Sequence, residues 1–210
     1  MENKKLTFIY AYPLDNELRR SFEERGQNYP TQDEIRDVMK RCKTIWQETN
    51  DQHQVLDKLA KITKRVPERN LECFIFGRGL SPKSAPFMIP IWNRNKEQWS
   101  DKKLIDLMIH ELLHIFLVTD NNPYWKSVGA KYATEEPVTQ NHILLYAMLY
   151  QTYQDIWQTE PIDFSRDNLP PGYARAVALV KKIGCKKIIS EYEEFAAGTT
   201  DDASDVWLGR

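Results

Sequence analysis

Residues 110 to 114 read His-Glu-Leu-Leu-His. On an α-helix a separation of four residues turns through about 400°, so the two imidazoles stand one turn apart on one face, spaced to grip a single small cation. Neutral imidazole nitrogen is a preferred zinc donor. Glu111 lies about 100° round from His110, placed to address a water on the metal as general base without occupying a coordination position. The neighbours Met108, Ile109, Leu112, Leu113, Ile115 and Phe116 are all apolar. Three polar groups in such a stretch cost several kcal/mol unless they have partners, and one metal ion partners all three at once. Two ordinary core histidines beside a solvent-facing Glu would leave that cost unmet.

A catalytic zinc site takes three protein ligands and keeps one position open. Glu135, Glu136 and Asp120 compete to be the third. Asp120 falls ten residues after His110, but reaching it needs a sharp turn where Leu117 stands, and a residue with a β-carbon resists positive φ. The Glu pair opens a predicted helix. Glu135 shares a face with Val138, Thr139, His142 and Leu145, whereas Glu136 aligns with Gln140, Ile143 and Ala147, so Glu135 is the favoured ligand. His142, two turns on from Glu135, is a catalytic candidate beside Glu111, as a donor to a developing oxyanion. Tyr132 and Tyr146 are weaker candidates for the same role. His53 sits in a polar joint and carries no assignment.

The pentad HELLH, followed about twenty residues later by ATEEPVTQNHILLYA, resembles the gluzincin branch of zinc metallopeptidases. The resemblance covers residues 87 to 157. It implies an edge strand before the motif helix, zinc held by His110, His114 and a downstream Glu, and hydrolysis of peptide bonds. The chain departs from that family in lacking its NExxSD pattern around the downstream Glu. A metzincin reading would use Asp120 but lacks the glycine. A deformylase-like reading would use Cys73, an upstream strand cysteine, without that family's Gln, Gly and Leu context.

The elements that position these residues follow from periodicity. LTFIYAY (6 to 12) reads as a strand closed by Pro13, with further strands at Cys73 to Phe76 and Phe87 to Trp92. Pro90, with no amide hydrogen, predicts a sheet edge for the last of these. Thr31 to Glu34 form a capping box opening a helix, and Val55 to Ile62 a shorter one with residues 50 to 53 as the joint. Ser100 caps the motif helix, Asp101 to about Val118. A long helix is expected from near Thr134 to Trp157, with Pro137 in its first turn, and another from Tyr173 to Phe195, interrupted at Gly184. The expected fold class is α+β: a small, mostly antiparallel sheet with an edge strand packed on a bundle of helices, the zincin-like arrangement. One catalytic domain over 1–195 and a loose tail over 196–210 are expected.

Composition limits the rest. With 210 residues and 41% apolar residues the chain can bury a core, and a net charge of −1 supplies no general field for nucleic acid or an anionic membrane. No membrane span and no export signal is visible, and three widely spaced cysteines make no disulfide framework, so a reducing cytoplasm is expected. The lysine pairs 181–182 and 186–187 read as solvated helix faces. The expected activity is therefore zinc-dependent hydrolysis of a peptide or protein substrate, with one Zn2+ per chain. The rival from another class is a binding or regulatory protein that keeps the domain without turnover.

Overall fold

The β-branched and aromatic residues of Leu6–Tyr10 make a strand, β1, and Pro13 then opens a helix rather than merely closing that strand. Proline fits the first helical turn, where its missing N–H costs nothing. The helix, α1, spans Tyr12–Glu23 and turns Leu14 and Leu18 onto a small apolar cluster with Ala11, Phe76 and Met88. The structure, a computed structural model, describes residues 5–66, 70–117 and 123–198. Its contacts divide into two units, Met1–Leu117 and Val118–Arg210.

In the first unit, α2 (Gln32–His53) begins at the expected capping box. Thr31 Oγ1 accepts from the Glu34 amide, and the Glu34 carboxylate accepts from the Thr31 amide. The joint to α3 (Val55–Thr63) is a single residue, Gln54, in the left-handed region, so α2 runs on through residues 50 to 53. Asn50 Oδ1 accepts from the Leu56 amide and supplies a partner for the first turn of α3.

Then come β2 (Leu71–Phe76), a two-residue β3 (Lys83–Ser84), β4 (Phe87–Pro90) and α4 (Asp101–Leu117). The sheet order is β1-β2-β4-β3, with β1–β2 and β2–β4 parallel and only β3–β4 antiparallel. This corrects the expectation of a mostly antiparallel sheet: the sheet is mixed. The chain leaves β1 through three helices and re-enters at β2, a long crossover of the kind parallel neighbours need. The edge assignment of 87 to 92 is corrected too, since β4 lies inside the sheet. Pro90 is tolerated there because the Ile91 amide donates to the Phe76 carbonyl, so Pro90's absent hydrogen would point the other way. On that side β3 reaches only as far as Met88.

Asp15, fully buried, ties this unit together. Its carboxylate accepts from the Tyr10 and Tyr29 hydroxyls and the Gly77 amide, each at 2.7 Å, and from Arg19 at 3.3 Å. Burial and the adjacent carboxylate push the Tyr10 phenol up to about 12 and raise Tyr29 as well. Gly77 has no β-carbon where one would overlap the Tyr29 ring.

The second unit is helical over its described residues: α5 (Pro123–Lys131), α6 (Pro137–Trp157), a 3-10 turn (Ile162–Ser165), α7 (Pro171–Ile183) and α8 (Cys185–Gly198). Gly184, at φ 92°, makes the expected break between the last two. Gly172 lets α7 approach α6 closely, because a β-carbon there would meet Val138 at about 3.0 Å. The Thr139 hydroxyl donates to the Gly172 carbonyl beside it. Residues 199–210, most of the expected tail, lie outside the described residues. No described helix is long and apolar enough to cross a membrane.

Candidate metal centre

The motif helix starts where a cap predicts. The Ser100 hydroxyl accepts from the Lys103 amide and the Ser100 carbonyl from the Leu104 amide. Arg41 of α2 fixes this end, donating to the Gln98 side chain and the Trp99 carbonyl and pairing with Asp101 at 2.9 Å. Leu104, Met108, Ile109, Leu112 and Leu113 are fully buried and hold the rotation of α4. That rotation leaves His110 and His114 partly buried on one face, ring centroids 5.1 Å apart. Glu111, only 7% exposed, has its carboxyl pushed up to about 7 by burial. It also lies close enough to β2 for its charge to raise the buried Cys73 thiol further.

His142 is buried on α6. Its Nδ1 lies 2.7 Å from the Val138 carbonyl oxygen, which can only accept, so Nδ1 carries the hydrogen and Nε2 the lone pair. Burial lowers its pKa from the usual value, so the ring is neutral at pH 7. Tyr173 and Tyr146 flank it, with ring centroids 4.4 and 5.7 Å away.

One ligand nitrogen from each of His110, His114 and His142 lies within 4.8 Å of the others, close enough for a single metal ion. Zn–N bonds of about 2.0 Å set tetrahedral donors roughly 3.3 Å apart, a spacing within that limit. Three imidazoles, one of them fixed in its tautomer by a backbone carbonyl, suit zinc and its neighbours in the first transition row. The donor chemistry therefore fits the expected class of ion.

Glu135, favoured as third ligand, is not in this group. Arg175 donates to both its oxygens, with N···O distances of 2.6 to 3.1 Å, and this pairing lowers the Glu135 pKa. The reason is the helix start. Pro137 sets the first turn of α6, and Glu136 before it is extended at ψ 151°, as a residue preceding proline prefers. Glu135 thus lies outside the helix and shares no face with His142, while Glu136 is an exposed N-cap. Asp120 lies outside the described residues. Tyr146 is spoken for by Asp163, and the Tyr132 carbonyl accepts from Gln140. Cys73 is buried with its thiol raised, a poor state for a thiolate ligand.

Sequence reasoning placed His142 near the metal as an oxyanion donor rather than in one cluster with His110 and His114, and it did not single out Tyr173, whose ring packs on that imidazole. Counting the helical phase from Pro137 rather than Thr134 would have detached Glu135 from His142. No protein-family model matches the chain, and neither any curated protein nor any solved structure matches it.

Proposed function

We propose that the protein is a zinc-dependent hydrolase of peptide bonds, similar to gluzincin metallopeptidases in its motif helix, with His142 in place of a glutamate as third ligand. The observation that carries this reading is the meeting of three imidazoles beside a buried glutamate. When bound, zinc supplies Lewis acidity and lowers the pKa of water. Glu111, with proton affinity near neutrality, takes a proton from the attacking water and passes it to the departing amine. His110, His114 and His142 hold the ion as neutral donors, and the Val138 carbonyl keeps the His142 ring oriented.

A peptide substrate needs a backbone to pair with. Since β4 has a neighbour on each side, the substrate strand pairs with the outer edge of β3 at Lys83–Ser84, next to α4, rather than with Phe87 to Trp92. Elemental analysis of protein purified without chelator, run beside cleavage of a mixed peptide library, tests the reading. About one zinc per chain is expected, with Glu111→Gln keeping the metal and losing activity by roughly a hundredfold or more. Zinc binding with no hydrolysis of the library, unchanged in Glu111→Gln, would leave a non-catalytic binding protein.

A further inference from the structure

A metal centre built from His110, His114 and His142 differs in charge from one completed by a glutamate. Three neutral imidazoles supply none of the negative charge that a glutamate ligand would, Glu111 is neutral whenever it holds the proton it transfers, and the carboxylate expected to help, Glu135, is engaged with Arg175. A divalent charge in a partly buried site calls for a negative group nearby.

One buried carboxylate in the helical unit has no part in the proposed reaction. Asp163 sits on the 3-10 turn Ile162–Ser165, 9% exposed, and its Oδ2 accepts the Tyr146 hydroxyl at 2.8 Å. Tyr146 lies one helical turn after His142 on α6, is fully buried, and packs its ring against that imidazole. The turn carrying Asp163 is fixed in its own right. Lys181 donates to the Phe164 carbonyl at 2.7 Å, and the Phe164 ring meets Tyr146 and Tyr150 with centroids 5.9 and 5.1 Å apart. The Tyr146 ring, packed on the His142 imidazole with centroids 5.7 Å apart, and its hydroxyl bonded to Asp163 join that carboxylate to the His142 end of the cluster.

We infer that Asp163 supplies, from beyond the ligands, the negative charge that compensates a metal ion held by His110, His114 and His142, and that Tyr146 is the strut that holds it in place. Both are positioning residues, and the inference rests on the proposed three-histidine centre. The compensating carboxylate of this chain would then act through a tyrosine rather than as a ligand.

Zinc affinity, measured by competition with a chromogenic chelator on the full chain, separates the roles without needing a substrate. Asp163→Asn keeps an oxygen that accepts the Tyr146 hydroxyl and removes the charge; Tyr146→Phe keeps the ring and removes the hydrogen bond. Asp163→Asn should weaken zinc binding about 10–100-fold and Tyr146→Phe by a smaller factor, with Glu135→Gln unchanged. Far-UV circular dichroism and thermal unfolding of the metal-free variants should match the parent, and the Co2+ absorption bands should shift in the first two variants only. If Asp163→Asn does not fold, a weakened affinity in Tyr146→Phe supports the inference and an unchanged one overturns it. Parent-like affinity in both variants overturns it, as does a loss in Glu135→Gln as large as that in Asp163→Asn. A parent chain that binds no zinc removes the three-histidine centre itself, and the inference with it.

Discussion

Glu111 is a carboxyl placed where burial resists its ionisation, and that placement opposes stability in the metal-free protein. Its folded value of about 7 stands above the ordinary 4.5, so the folded state holds the proton more tightly than the unfolded chain does. The stability of the metal-free protein should therefore fall as pH rises from about 4.5 to about 7 and level off above. Glu111→Gln should abolish this contribution, leaving the variant more stable at pH 8 by up to about 3 kcal/mol and equal to the parent at pH 4. Urea unfolding at the two pH values measures it; a variant no more stable at pH 8 would mean that the carboxyl is not held in a resisting site. Among the ligand candidates, His142→Ala should lose zinc binding while Glu135→Ala keeps it, as read by equilibrium dialysis. The HELLH pentad was legible because its spacing and its chemistry lie in five consecutive residues. The third member of the histidine cluster was not, because Glu135 and His142 are both sensible donors and only the start of α6 distinguishes them.

That start is the work of one residue, and the same holds for other elements. Pro137 fixes the first turn of α6, Thr31 that of α2 and Ser100 that of α4. The latter two were legible as caps because a cap is a local bargain between a side chain and a nearby amide. Strand direction was not legible, because it depends on where sixty intervening residues lead the chain, on the order of the whole crossover. The α1 helix did leave a signal, Leu14, Leu18 and Phe22 at intervals of four, obscured by the charged residues between them. Two substitutions test these elements. Thr31→Ala should destabilise by about 1 kcal/mol in denaturant unfolding. Gly77→Ala should cost more, about 1–3 kcal/mol, since its β-carbon would collide with the Tyr29 ring where that ring's hydroxyl meets Asp15.

For the molecule as a whole, a metal ion that binds only the folded chain raises its apparent stability by mass action. Free zinc at a hundredfold above its dissociation constant should add about 2.7 kcal/mol, and the accompanying rise in Tm should vanish in His142→Ala. A Tm insensitive to zinc in the parent would count against the proposed centre. The parallel pairing of β1 with β2, which sets Leu6 beside Leu71, has a consequence in time. Closing so long a loop costs chain entropy before any contact repays it, whereas the helical unit assembles from turns close together in sequence. Refolding should therefore restore most helical circular dichroism early and the β1–β2 pairing late. The Asp15 knot keeps the slower clock, because its partners Tyr10, Tyr29 and Gly77 meet only when that crossover has closed. Until that moment the nascent sheet shows open strand edges to its surroundings, and it is this interval, rather than the finished fold, in which the chain is most exposed to aggregation.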